Sequence, residues 1–380
     1  MHMAVATTAL EAKGGAERVV LKLAEHFDAT VFTTRYSPEG TYEEFGDLDI
    51  RILKSPLQKL PIGKRLSTGI AAGSTFYTAN LQEYGDFDII NAHQSPSEWL
   101  RNKNKQMIWY CHSPNREAFD LYEWRMRRRD PLRKLAFWTA IKAFRHFEFQ
   151  VVPKIEYIFT NSKNSKSRIK KYLNRDAEIL HPGIEVGKFR SGEYGNYFLY
   201  PGRITPEKDI EFSISAFRRL CERVKGHRMV IAGSLSDRPE HIAYFDKLKK
   251  MAAGLPVEFQ TNLSEGELTE LYAGALAVLY TPINEDFGLI PPEAMAAEKP
   301  CIAKNEGGPR ETVIDGVDGF LVNNPDEMAD RMEFFIRNPA LAEQFGKKGK
   351  KKVERDFTWD HFLKRFEEKA KEVLKNAEEK

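Results

Sequence analysis

The sequence predicts an α/β protein built from two doubly wound parallel-sheet domains, and three observations lead there. Short apolar runs alternate with amphipathic stretches along the chain, the βα rhythm of parallel sheets. That rhythm is interrupted by Pro and Gly at His181-Pro182-Gly183 and restarts with a fresh strand at 197–200. The length of 380 residues also exceeds the size at which one core keeps growing, so two domains of about 180 residues each are expected. The expected division is 1–182, 183–355 and a C-terminal helix over 356–380.

Composition narrows the function classes. Hydrophobic residues at 42% and charged residues at 30% describe an ordinary globular protein rather than a disordered or membrane-spanning one. There is no apolar run of about 18 residues, and the first residues lack the charged-then-apolar layout of a secretory signal. Cys111, Cys221 and Cys301 lie far apart without a Cys-x-x-Cys pairing, which fits a reducing cytosol and indicates neither a disulfide framework nor a zinc site. A net charge of +3 is too small to argue for nucleic acid.

In the first domain, residues 3–10 form a weak opening strand. Lys13-Gly14-Gly15-Ala16-Glu17 then starts a helix whose apolar positions Val19, Val20, Leu23 and Phe27 recur at helical spacing. Gly14 and Gly15 can let a diphosphate or an acceptor approach the helix N-terminus, or they can form an ordinary tight turn. Strands follow at 30–33, 50–53, 87–92 and 106–111. His93 and His112 each end a strand, where an imidazole either hydrogen-bonds a ligand or serves a structural role against nearby backbone.

Between 116 and 150 the composition changes. Arg125, Arg127, Arg128, Arg129, Arg133 and Lys134 lead into Phe137, Ile141 and Phe144 at helical spacing, with Trp138, Phe147 and Phe149 broadening the apolar surface. The segment reads either as a membrane-surface element attracted to anionic lipid or a phosphorylated lipid acceptor, or as a core helix with a solvated basic lead-in. No recognised nucleic-acid module accompanies it. Residues 155–160 give another strand, and Ser162 is placed to cap the helix after it.

The second domain opens with a strand running into Gly202-Arg203 and on to Lys208. Two cations five residues apart on a glycine turn can clamp a diphosphate, Arg203 through its planar fork and Lys208 as a movable point charge. Strands at 229–232 and 257–259 and a helix at 263–276 return the chain to a buried strand at 275–280, which delivers Glu285 to its carboxyl end, where ligands of open α/β sheets bind. Phe287, Gly288 and Leu289 follow. Pro291 and Pro292 suit a helix start, so Glu293 falls in the first helical turn. After a strand at 301–303, Asn305-Glu306-Gly307-Gly308-Pro309 is a loop whose backbone amides can approach a ligand closely. A strand at 319–322 and helices at 328–336 and 341–352 precede the last helix, with Thr358 a candidate N-cap.

Two glutamates, Glu285 and Glu293, around Phe-Gly and followed by Glu-Ala-Met and Glu-Gly-Gly, resemble the sugar-donor motif of the family 4 retaining glycosyltransferases. The resemblance implies the two-domain GT-B fold, with Rossmann-like domains facing across a cleft: an acceptor-side domain at 1–182, a nucleotide-sugar domain at 183–355, and the helix at 356–380 crossing back to the first. It implies that Glu285 and the Phe287-Gly288 backbone face the transferred sugar, that Glu293 holds the ribose, and that Arg203 and Lys208 hold the diphosphate. His112 is similar to the family histidine that contacts the sugar, and the run from Lys13 to Arg18 to the first loop facing the sugar donor. Glu298-Lys299 stands where the family has a glycine after the Glu-Ala-Met helix, which leaves that helix end open.

The chemistry that follows is a retaining transfer in which the departing phosphate assists front-face attack, since no protein nucleophile stands out. No Asp-x-Asp metal motif ends a strand, so neither a metal nor another cofactor is expected. The motifs lie closest to mannosyltransferases using GDP-mannose to build lipid-linked or surface glycans, which implies a nucleotide-sugar donor, a glycan or lipid-linked acceptor, no nucleic acid, and a cytoplasmic place with peripheral membrane contact if the basic helix meets lipid. A glycoside hydrolase using Glu285 and Glu293 leaves Arg203 and Lys208 without purpose. A nucleotide-sugar epimerase on the same fold needs no acceptor surface. A non-enzymatic lipid-surface module is supported by residues 125–149 alone.

Overall fold

The computed structural model describes residues 1–54, 64–127 and 129–379, so Arg128 of the basic cluster lies outside the described residues. The chain divides into two compact units, Met1–Pro182 with Phe362–Lys380, and Gly183–His361.

In the first unit, β1 (Met3–Ala6), β2 (Thr30–Thr33), β3 (Ile50–Ile52), β4 (Ile89–Ala92), β5 (Met107–Cys111), β6 (Tyr157–Thr160) and β7 (Glu178–Ile179) form one parallel sheet in the order β3-β2-β1-β4-β5-β6-β7. Every residue of β1, β2, β4 and β5 is buried, which is why none of these strands shows a strict apolar/polar alternation. Residues 7–10, expected to prolong the first strand, are instead loop leading into α1 (Gly15–Phe27). The other helices of this region are α2 (Lys64–Thr78), α3 (Tyr122–Arg127), α4 (Pro131–Val151) and α5 (Lys163–Leu173). Ser162 caps α5 as expected, its Oγ accepting from the Ser165 N–H at 2.9 Å.

In the second unit, β8 (Tyr197–Pro201), β9 (Arg228–Gly233), β10 (Val257–Thr261), β11 (Ala277–Tyr280), β12 (Cys301–Lys304) and β13 (Gly319–Val322) are parallel in the order β10-β9-β8-β11-β12-β13. Around them run α6 (Ile210–Arg223), α7 (Pro239–Ala252), α8 (Glu265–Gly274), α9 (Ile290–Ala296), α10 (Pro309–Thr312), α11 (Pro325–Arg337) and α12 (Pro339–Asp356). A core of Phe198, Tyr200, Phe217, Ile231, Leu279 and Phe335 packs between sheet and helices.

The last helix, α13 (Trp359–Glu378), buries Phe362, Phe366, Ala370 and Val373 along one helical stripe. Phe362 meets Tyr110 with ring centroids 5.5 Å apart, and Phe366 meets Phe159 at 5.7 Å and Phe27 at 5.9 Å, so the helix completes the core of the first unit. Thr358 precedes it and accepts from the His361 N–H at 3.3 Å.

Both sheets reverse strand order beside their first strand, between β1 and β4 and between β8 and β11. At such a switch point the two flanking connections leave in opposite directions and open a crevice beyond the strand ends. The connections that follow these four strands carry Gly14, with Gly15 opening the helix after it, His93, Arg203 and Lys208, and Glu285. Among the described residues no helix is long and apolar enough to cross a membrane.

Candidate active site

At the switch point of the second unit, the turn after β8 and the turn after β11 are fastened to each other. Tyr200, at the end of β8, donates its hydroxyl to the Lys208 carbonyl at 2.5 Å. Thr281 Oγ1 donates to the Asp209 carbonyl at 2.8 Å, and the Ile283 N–H donates to the Glu207 carbonyl at 2.9 Å. These bonds bring Lys208 Nζ to 2.5 Å from Glu285 Oε2, with the two side chains 12% and 24% exposed. A charge-assisted contact this shielded from water is held more firmly than a surface pair. Tyr280 lies beneath it, and burial together with the nearby Glu285 charge pushes its hydroxyl pKa well up. Arg203, on the same turn, is exposed and has no ion-pair partner among the described residues.

The acidic turn is held from behind by the glycine loop after β12. The Gly308 N–H donates to the Glu285 carbonyl at 2.9 Å, and a Cβ at Gly308 would sit 2.1 Å from the Phe287 carbonyl oxygen, so a side chain there would displace the turn. Gly288 has φ +83°, and a Cβ on it would meet the Tyr280 ring at 2.8 Å. Phe287 is buried beside Phe357, at 6.0 Å between centroids. Leu289 is the N-cap of α9, and Glu293 sits in its first turn as expected.

The Glu293 carboxylate is fixed by a partner the sequence did not suggest. Tyr272, on α8 and 21 residues earlier, donates its hydroxyl to Glu293 Oε2 at 2.8 Å. Burial first and the glutamate charge second raise the Tyr272 pKa well above its ordinary value, so it remains a donor. The open question at Glu298 also resolves: this residue takes the left-handed backbone, φ +57°, where a glycine would be unstrained. Its carboxylate is engaged by Ser191 and by Lys350 at 2.9 Å.

In the first unit, Gly14 is the extended N-cap of α1 and has no side chain to offer the helix end. Glu17 occupies that region instead, its Oε1 accepting from Gln94 Nε2 at 2.8 Å. His93 is buried, and its Nδ1 lies 3.3 Å from Nε2 of the half-buried His112. Burial pushes the His112 pKa down to about 4, and burial plus the neighbouring His112 holds His93 well below its ordinary value. Both rings are therefore neutral at neutral pH.

The basic aromatic segment is divided in two. Phe144 and Phe147 pack on Trp99, with centroids 5.1 Å and 5.5 Å away, and belong to the core. Leu132, Leu135, Trp138 and Phe149 are exposed, Leu132 at 78%. Asp130 caps α4 by accepting from the Arg133 N–H at 3.0 Å, Arg125 pairs with Glu117 at 3.1 Å, and Arg129 lies 3.8 Å over Phe137, whereas Arg127 is exposed. The Asp-Pro dipeptide at 130–131 is a helix-start signal that the sequence reading passed over. A shallow cavity of about 310 Å³ lies along α4, walled by Tyr122, Trp138, Ile141 and Phe149 with Lys142 and Arg145 beside them.

The structure thus joins Lys208 to Glu285, sets Arg203, Phe287, Gly288 and Leu289 on the same two turns, and anchors Glu293 separately through Tyr272. His112 is joined to His93, while Gly14 ends the β1–α1 loop, Gly15 opens α1, and Arg125, Arg127, Arg129 and Trp138 lie on α3, α4 and their connection.

Residues 13–188 match the family model "Glycosyltransferase Family 4", and residues 184–352 match "Glycosyl transferases group 1". The chain is 29% identical over 391 residues to the alpha-1,3/1,6-mannosyltransferase ALG2 of Mus musculus, covering 92% of this chain and 91% of the relative. Its fold superposes on the sucrose-phosphate synthase of Thermosynechococcus elongatus with a TM-score of 0.78 at 18% identity, covering 99% of this chain and 100% of that one. It also superposes on the Anabaena protein Alr3699/HepE in complex with UDP-glucose, with a TM-score of 0.77 at 16% identity and 98% and 100% coverage. Two parallel-sheet units of this topology, together with models that between them match 13–352, identify an enzyme of the GT-B fold, and the chain belongs to the family 4 glycosyltransferases.

Proposed function

We propose that the protein transfers mannose from GDP-mannose to a glycan or lipid-linked acceptor with retention of anomeric configuration. The observation that carries this reading is the shielded Lys208–Glu285 pair at the switch point of the second sheet, with Arg203 exposed on the same turn. The choice of mannose is supported by the mannosyltransferase relative.

In this reading Lys208 and Arg203 face the diphosphate and stabilise the charge that develops on the leaving oxygen. The bond from the anomeric carbon to that oxygen breaks, and its electron pair goes to the phosphate. The acceptor hydroxyl attacks on the same face and passes its proton to a departing phosphate oxygen. Before the sugar donor binds, Glu285 serves as the anion that Lys208 faces. Once the diphosphate takes over that cation, the carboxylate is released to orient sugar hydroxyls and offset positive charge at the anomeric carbon. Glu293, held by Tyr272, accepts from the ribose hydroxyls. The amides of Gly288 and Leu289 line the sugar, and Gly14 and Gly15 give it close backbone in the first unit. His112 contributes a neutral imidazole there.

The exposed face of α3 and α4 has a separate task in this reading. Arg125, Arg127 and Arg129 with Trp138 meet an anionic membrane surface on its cytoplasmic side, which would bring the enzyme to a lipid-linked acceptor. Calorimetric titration with GDP, UDP and ADP tests the sugar-donor assignment. Selective GDP binding that is lost in Arg203→Ala supports it; preference for UDP would keep the transferase and change the sugar, and no nucleotide binding would overturn it.

A further inference from the structure

We infer that Asn91 and His93 are positioning residues that lock His112 into the tautomer with its proton on Nε2, leaving Nδ1 bare to accept a hydroxyl hydrogen of the transferred sugar. The first half of this inference concerns the protein alone, and the second rests on the role proposed for His112 above.

Asn91 is fully buried on β4, and its Nδ2 donates to the Ile108 carbonyl at 3.1 Å, which fixes the amide orientation. Its Oδ1 therefore faces His93 Nε2, at 2.6 Å. An amide oxygen can accept but not donate, so the proton of this bond belongs to His93 Nε2. A neutral imidazole carries one N–H, and burial keeps His93 neutral, so its Nδ1 holds a lone pair. That lone pair faces His112 Nε2 at 3.3 Å, and two facing nitrogens make a hydrogen bond when one of them carries a proton. The proton lies on His112 Nε2, and Nδ1 of the same ring is left as an acceptor.

The frame around the pair is rigid. Trp109 Nε1 donates to the His93 carbonyl at 3.0 Å, the His93 N–H donates to Ser97 Oγ at 3.1 Å, and Ser165 Oγ donates to the His112 carbonyl at 2.8 Å. Tyr110 packs against both rings, 5.7 Å from His93 and 4.9 Å from His112 between centroids. Among the described residues His112 Nδ1 has no hydrogen-bond partner, and it is not a sealed, unsatisfied atom. A bare nitrogen at this position selects a sugar that presents an O–H and rejects one lacking it, because its acceptor would be left unpaired.

Nitrogen-15 NMR of the protein labelled at histidine, without ligand at pH 7, reads the tautomer directly. The expected result is a protonated-type Nε2 and a bare-type Nδ1 for both rings. In His93→Leu the acceptor is gone and His112 should lose its single tautomer, while the amide oxygen of His93→Gln should restore it. With GDP-mannose as probe, GDP release should fall about tenfold in His93→Leu, the value of one lost hydrogen bond, and recover in His93→Gln. A wild-type His112 carrying its proton on Nδ1 would overturn the inference, and that spectrum requires no variant to fold. A changed tautomer with unchanged GDP release would overturn the catalytic half alone. Failure of GDP-mannose to bind would overturn the proposed function and leave the spectral result standing.

Discussion

The two sheets share one strand order over six strands, with β7 added to the edge of the first, yet their switch points are opposite in electrostatic character. In the second unit the crevice holds a shielded ion pair, Lys208 with Glu285, and an exposed Arg203. In the first it holds two imidazoles that burial keeps uncharged. A shared strand order therefore provides a place for chemistry without choosing it. One switch point carries full charges, as an anionic ligand would require, and the other carries neutral imidazoles, as the proposed contact with sugar hydroxyls would require.

The largest effect should come from removing the cation of the charged site. Lys208→Ala should slow GDP release from GDP-mannose by about a hundredfold or more, the usual loss when a group stabilising developing charge is deleted. Unchanged turnover would remove Lys208 from the mechanism. Next in size, Glu293→Ala should weaken GDP binding by about tenfold while leaving the His112 NMR signals where they were. Tyr272→Phe, which keeps the carboxylate and removes its phenol partner, should weaken binding less; equal losses would mean that Tyr272 acts on more than Glu293.

The neutral site makes a prediction about pH. Because both histidines titrate below their ordinary value of about 6.5, the unfolded chain binds more protons than the folded one as pH falls below that value. Their contribution to stability is full above about 6.5 and is lost as pH falls through about 4, where His112 titrates in the fold. Trp99, Trp109, Trp124 and Trp138 all lie in the first unit, so tryptophan fluorescence during urea unfolding reports mainly on it. The urea midpoint should fall between pH 7 and pH 5, and fall less in a variant with both histidines replaced by leucine. An identical fall in that variant would show that other groups carry the effect.

The smallest predicted difference concerns the end of α9. Glu298→Gly should be more stable than Glu298→Ala by about 1 kcal/mol, since both lose the contact with Lys350 and glycine alone relieves the left-handed backbone. Equal melting temperatures would contradict the strain.

Much of this was legible in the sequence because it depends on neighbours in the chain. Strands buried on both faces appear as apolar runs, Pro291 and Pro292 announce a helix start, and Ser162 and Thr358 are caps that the structure uses. The β7 strand was not legible because two residues carry no periodicity. The pairing of Lys208 with Glu285 spans 77 residues, and the Tyr272 bond to Glu293 runs between two helices; neither leaves a local pattern. The basic segment was ambiguous for a different reason. Its aromatic residues are spaced so that Phe144 and Phe147 enter the core while Trp138 and Phe149 do not, and composition cannot separate the two sets. The protonation state of His112 lies further still from the sequence, since it follows from a relay through Asn91 and His93.

The central claim is that the turn carrying Arg203 and Lys208 reads a diphosphate, and comparing GDP with guanosine by calorimetry tests it most directly. GDP should bind more tightly than guanosine by about a hundredfold or more, and this ratio should collapse in an Arg203→Ala, Lys208→Ala double variant, by the loss of two charge-assisted contacts. Equal affinity for GDP and guanosine in the wild-type protein, or a ratio that survives the double substitution, would contradict it.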